Sequence, residues 1–115
     1  MSDECIFCKI ANGEFGTKFI YEDAELLAFR DINPQAPVHV LIIPGKHITR
    51  INRLEDSDQA LAGKMILTAN NIARDERISE SGYRLIFNCG PDGGQEVEHI
   101  HLHLLGGRQM NWPPG

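Results

Sequence analysis

The run His99-Ile100-His101-Leu102-His103-Leu104-Leu105-Gly106-Gly107 sets three of the chain's five histidines at alternate positions. In an extended strand successive side chains point to opposite faces, so the three imidazoles are expected on one face, roughly 7 Å apart, with Ile100, Leu102 and Leu104 burying the other. Thr, Ser or Lys would serve a merely solvated face as well. Histidine adds a side chain that is largely neutral, nucleophilic and easily protonated near pH 7, which suits nucleophilic attack coupled to proton delivery. His-x-His on a strand also suits metal chelation, and a solvated face or satisfied core histidines would explain the pattern with no chemistry. The loop just before the run favours the first reading. Gly93, Gly94 and Gln95 can turn backbone N–H groups toward an anion beside the imidazoles. A phosphate beside a nucleophile makes a phosphoryl- or nucleotidyl-transfer site.

Cys5-Ile6-Phe7-Cys8 is a second constellation, open to three readings: a redox pair, half a zinc site, or two small buried hydrophobes. With Cys89 the cysteines number three, an odd count that does not suggest a secreted disulfide framework. The chain has 115 residues, a length expected of one domain with its own core. Its net charge is −5, with 11 Lys plus Arg against 16 Asp plus Glu and no basic block, which argues against nucleic acid or a membrane as main partner. A small anion bound by backbone N–H groups stays compatible with that charge. The start, MSDECIFCKI, lacks a cationic flank and a long apolar run, so neither a signal peptide nor a membrane span is expected, and the cytoplasm is the expected location.

The elements that must position these residues read as follows. Residues 5–11 suit a short helix, with Ile6 and Ile10 on one side and Asn12-Gly13 as the stop. Lys18–Tyr21 and Glu25–Arg30 read as a hairpin, a proline-stiffened loop spans residues 31–37, and Val38–Ile43 is a third strand ended by Pro44-Gly45. One long helix is expected from about Asp58 to Arg77, capped by Asp56 or Ser57, with Leu61, Met65, Thr68, Ala69, Ile72 and Ala73 facing inward. Tyr83–Asn88 and Val97–Leu104 complete five strands, and five mostly hairpin-linked strands with two helices make an α+β domain.

The run from His99 to Leu105 resembles the His-φ-His-φ-His-φ-φ pattern of the histidine triad (HIT) nucleotide-binding superfamily. The segments FRDINPQAPVHVLIIPGKHI and FNCGPDGGQEVEHIHLHLLGGRQMNWPPG are similar to its Hint branch over essentially the whole chain. The resemblance implies a HIT-like fold, a five-stranded antiparallel sheet with one long and one short helix that dimerises into a ten-stranded sheet. It makes residues 1–115 a single HIT domain with a C-terminal tail from about 108 to 115.

It further implies that His101 attacks the α-phosphorus of a nucleotide, that His99 and His103 orient it and bind the phosphate or leaving group, and that His39 serves a proton relay. Asn88, Gly94, Gln95 and the backbone of Glu96 would contact phosphate; a serine stands at the Glu96 position in relatives, so the Glu96 carboxylate is expected to turn away. Asp31 would accept the ribose hydroxyls, while Ile32, Phe29, Ile6 and Phe7 would form the apolar base slot, with plain core packing as the other explanation of the two phenylalanines. The implied activity is hydrolysis of adenosine or guanosine 5′-phosphoramidates through a nucleotidyl-histidine intermediate, releasing AMP or GMP and an amine. A proton donor near pKa 6.5 would favour such substrates. The alternatives are a dinucleoside polyphosphate hydrolase, which the WPPG ending argues against, and a nucleotide-binding regulatory or scaffold protein. His103 sets the chain apart from the transferase branch, which carries glutamine there. No cofactor is implied for catalysis. A structural zinc on Cys5, Cys8, His47 and His99 is implied by those relatives that keep the CxxC. Trp112 is expected near the active site of a partner subunit in a homodimer.

Overall fold

The computed structural model describes residues 4–115, so Met1–Asp3, part of the N-terminal stretch read as lacking a leader, lie outside it. Five antiparallel strands form one sheet in the order β1-β2-β3-β5-β4: β1 (Tyr21–Glu22), β2 (Leu26–Arg30), β3 (Val38–Pro44), β4 (Tyr83–Phe87) and β5 (Leu102–Gly106). Helix α1 (Ile6–Ala11) covers one face and α2 (Gln59–Asp75) the other. The central β3, VHVLIIP, is apolar almost throughout because both its faces are covered: Val40 and Ile42 pack beneath α2, while Leu41 and Ile43 join Phe7, Cys8 and Ile10 of α1. This is the α+β architecture expected from the pattern of apolar residues.

Helix α2 buries the stripe Met65, Thr68, Ala69, Ile72 and Ala73, with Leu61 packed at its edge. It begins one residue later than expected and without a cap from Asp56 or Ser57. A single 3-10 turn, Asp56–Asp58, precedes it and carries the capping box, Glu55 accepting from the Asp58 backbone and Asp58 from the Glu55 N–H. It stops at Asp75 rather than Arg77, because Arg77 adopts a left-handed φ of 62° and the Ile78 N–H turns back to the Ala73 carbonyl.

The segment bearing the histidines corrects the expectation of an uninterrupted strand over 97–104. Strand β5 begins at Leu102, so His99 and His101 precede the ladder and only His103 lies within it. Continuing the β3–β5 register would set Ile100 opposite Pro44, which has no N–H to give. The Ile100 N–H instead donates to the Ile48 carbonyl at 2.7 Å. The side-chain alternation survives: Ile100, Leu102 and Leu104 are buried in the core beneath α2. The glycine pair after the histidines is also tertiary in origin, since a Cβ on Gly106 would stand 2.5 Å from Ile78 Cδ1.

Candidate active site

A cavity of about 390 Å³, within the range of small-molecule sites, opens on the α1 side of the sheet. Its apolar wall includes Ile6, Phe7, Phe29 and Ile32; Ile32 is fully exposed and Ile6 half-exposed, so both are free to meet a flat apolar ligand. Phe7 and Phe29 are buried and also pack edge-on to each other, so the core-packing and slot-lining readings hold together. Asp31, Asn88, Gly94, Glu96, His101 and His103 supply the polar wall. His99 and His39 lie outside this lining, as do Gln95 and Trp112.

Hydrogen bonds assign the tautomers. The His99 carbonyl accepts from His101 Nδ1 at 2.7 Å, leaving a lone pair on His101 Nε2. His39 Nδ1 accepts the Gln35 backbone N–H at 3.0 Å, so its proton sits on Nε2 and is donated to His103 Nδ1 at 2.9 Å. His103 therefore keeps its own proton on Nε2. Asp31 Oδ2 stands 3.5 Å from His39 Nε2, and its Oδ1 accepts the Asn33 N–H at 2.8 Å. The hydrogen bonds these rings make are those of neutral imidazoles, and burial pushes the same way. Desolvation lowers the pKa of His39, His99 and His101, and burial together with the charges of His101 and His39 pushes His103 down to about 4. Burial thus works against a protonated donor among these histidines. A second proton on His39 would also cost the Gln35 bond.

The glycine loop is tied to itself. Gly94 N–H donates to the Pro91 carbonyl and Gln95 N–H to the Gly90 carbonyl, while the Gln95 amide accepts from Gly90 N–H and donates to the carbonyls of Thr49 and Val97. The Asn88 amide donates to the Gly93 carbonyl. The turn is so tight that a Cβ on Gly93 would sit 2.4 Å from the Cys89 carbonyl oxygen. Gln95 thus braces the loop from behind. Glu96 is exposed at the cavity rim and belongs to its lining; its charge works against burial at His101.

His99 turns instead to the second constellation. Its Nδ1 lies 3.3 Å from Cys5 Sγ, 3.5 Å from Cys8 Sγ and 3.2 Å from His47 Nδ1, and Cys8 Sγ lies 3.2 Å from His47 Nδ1. These four side chains are close enough to hold a metal ion. The separations lie at or just below the edges of a tetrahedron built from Zn–S near 2.3 Å and Zn–N near 2.0 Å, about 3.3–3.8 Å. His99 Nε2 donates to the Pro44 carbonyl at 2.8 Å, which leaves the lone pair on the inward Nδ1, as a metal ligand requires. Burial and the Cys5 neighbour raise the Cys8 thiol to about 11, so a metal would have to displace its proton. Cys5 also caps α1, its Sγ accepting the Cys8 N–H at 3.3 Å.

Gln35, Pro44, Thr17 and Val97 escaped the sequence reading, the first two because they act through backbone groups that any residue carries. The proline-stiffened loop was the one signal that could have marked Gln35.

Residues 12–110 match the HIT domain family. The chain is 50% identical over 115 residues, the whole of both chains, to an uncharacterized HIT-like protein of Synechococcus elongatus. The crystal structure of a HIT family hydrolase from Legionella pneumophila superposes with a TM-score of 0.95 at 58% identity, covering 97% of this chain and 100% of that one. A histidine triad nucleotide-binding protein from Candida albicans gives 0.81 at 30% identity, covering 96% of this chain and 83% of that one. Pattern, fold and likeness over nearly the full length agree, and the chain belongs to the HIT domain family.

Proposed function

We propose that the protein is a purine nucleotide-binding hydrolase of the Hint type that cleaves the P–N bond of adenosine or guanosine 5′-phosphoramidates. The observation carrying this reading is His101, whose Nδ1 is held by the His99 carbonyl so that its Nε2 lone pair is the free one, in a cavity with an apolar wall and Asp31. The base lies between Ile32, Phe29 and Ile6, with Asp31 accepting from the ribose hydroxyls. His101 Nε2 attacks the α-phosphorus in line, an N–P bond forms, the bond to the amine breaks and its electron pair stays on nitrogen. His103 Nε2–H and the Glu96 N–H hold phosphate oxygens. With His39 and His103 neutral, the departing nitrogen takes its proton from water at the open side of the cavity. Water then attacks phosphorus and gives one proton to the hydroxide left by the first step, the N–P bond returns its pair to Nε2, and AMP or GMP leaves.

Cys5, Cys8, His47 and His99 would hold a structural zinc, which supplies a tetrahedral crosslink between α1 and the histidine segment and takes no part in the steps above. Residues 1–115 act as one HIT domain with residues 108–115 as tail. A homodimer through the β4 edge and α2 would join two sheets into one of ten strands; the exposed Ile66 and Leu67 of α2 and the exposed Trp112 support it. The tail passes its own subunit's site with Trp112 facing away, which leaves that ring for a partner's pocket.

The test is a substrate panel of adenosine phosphoramidates, acyl adenylates and dinucleoside polyphosphates assayed with the wild type and His101→Ala. Phosphoramidates should give the highest kcat/KM, and trapping should yield an adenylylated peptide containing His101. Higher kcat/KM on dinucleoside polyphosphates, or full activity in the variant, would overturn the assignment.

A further inference from the structure

Beyond His103 the nucleotide cavity meets a second one of about 270 Å³, and Asn88 and His103 belong to the walls of both. The phosphate reading above puts the scissile bond at that seam, so a leaving group displaced from phosphorus by His101 passes into the second cavity. Two arginines flank it. Arg84 and His39 stand directly opposite Leu105 from the two neighbouring strands, which puts the Arg84 side chain on the histidine face of the sheet. Arg108 Nε donates to the Gln35 carbonyl at 2.9 Å, the same residue whose N–H holds His39. Arg84 Nη2 donates to the Asn111 carbonyl at 2.9 Å, and Arg108 Nη1 to the Gln109 carbonyl at 3.2 Å. Each guanidinium has five donors, so these contacts orient both and leave donors free. Among the described residues neither arginine meets a carboxylate, so the two positive charges at this cavity are not neutralised by an ion pair. The opposite flank of the nucleotide cavity is acidic, with Glu96 shared by a third cavity that also holds Glu4 and Glu98.

We propose that the Arg84–Arg108 cavity is a leaving-group subsite selective for an amine that carries a carboxylate. The proposal rests on the nucleotidyl-histidine reading and specifies its substrate class. The carboxylate takes no part in bond changes: His101 Nε2–P forms, P–N breaks, and the nitrogen keeps the pair and takes a proton from water while the arginines hold the carboxylate. The acidic flank repels the same group, so the leaving group has one favoured direction.

Three substrates of matched size decide it: the adenosine 5′-phosphoramidates of β-alanine, of β-alaninamide and of 1,3-diaminopropane. The wild type should prefer the β-alanine derivative over the amide by about tenfold in kcat/KM, the scale of two partly exposed charge-assisted contacts, and the diamine derivative should be worst. The preference should shrink at high salt. In R84Q/R108Q the ratio of acid to amide should fall to about one, and R84K/R108K should restore part of it. Equal rates on acid and amide in the wild type, a preference for the diamine, or an unchanged ratio in R84Q/R108Q would overturn the subsite while leaving phosphoramidase activity standing. No His101-dependent turnover of any of the three would overturn both.

Discussion

Two histidine groups stand side by side in this molecule and differ in almost every physical respect. Cys5, Cys8, His47 and His99 converge four donor atoms on one point, backed by the α1 cluster. Asp31, His39 and His103 also bring three donor atoms close together, but they are hard or borderline donors already joined by a hydrogen bond and a near contact, and with His101 they open on a cavity in which His101 Nε2 has no protein partner among the described residues. The segment 99–103 contributes to both, and its backbone joins them, since the carbonyl of a metal-site residue fixes the tautomer of the proposed nucleophile. Convergence of soft donors suits holding a cation. A row of neutral imidazoles with one free lone pair suits displacement at phosphorus.

The largest expected effect separates the groups by kind. His101→Ala should lower kcat/KM on an adenosine phosphoramidate by about a thousandfold or more while AMP still binds and Tm scarcely moves, measured by steady-state kinetics and calorimetry. A similar loss of Tm instead would make His101 a structural residue and erase the distinction.

The converse variant is Cys8→Ser. It should abolish zinc in elemental analysis and cost about 2–5 kcal/mol of stability, with AMP affinity largely kept. Protein purified without chelator and free of zinc would leave the first group as packed thiols and imidazoles.

A pH series sharpens the contrast further. Because the neutral form of His101 is the active one and its pKa is lowered, kcat/KM should stay level as pH falls through 6.5 and decline only below it. Stability has the matching sign. The unfolded chain binds protons on His39, His101 and His103 at 6.5 while the fold resists them down to about 4 at His103, so stability should fall as pH drops across that window in urea titrations. A kcat/KM profile with an apparent pKa at or above 6.5 would mean that the imidazoles are not held neutral.

The smallest effect concerns the tail. Truncation after Met110, which spares Arg108 and removes Trp112, should change KM and leaving-group preference severalfold with little change in Tm, and ultracentrifugation should show a dimer for the full chain at micromolar concentration. Unaltered preference across the panel would confine Trp112 to the surface.

Much of this is legible in the sequence. The alternation from Ile100 to Leu104, the inward stripe of α2 and the apolar run of β3 determined the sheet, the long helix and which face was core, because burial depends on side-chain periodicity that the sequence displays directly. Residue types and spacing alone proposed His99, His101, His103, the Gly93–Gln95 loop and the CxxC as chemistry-bearing, while Asp31, His39 and His47 came only through the family resemblance. What only the tertiary structure decided lies in backbone groups and long-range contacts. That β5 starts at Leu102 follows from Pro44 on another strand, which would lie opposite Ile100 with no N–H to give. That His39 turns Nε2 to His103 Nδ1 follows from the Gln35 N–H on its Nδ1, which no side-chain pattern encodes. That Gln95 braces the loop, and that Arg84 and Arg108 meet around one cavity, depends on closing chain segments far apart in sequence. Periodicity is local and survives in one dimension. Tautomers, burial-shifted proton affinities and cavities exist only once distant backbone atoms have been brought within a hydrogen bond of one another.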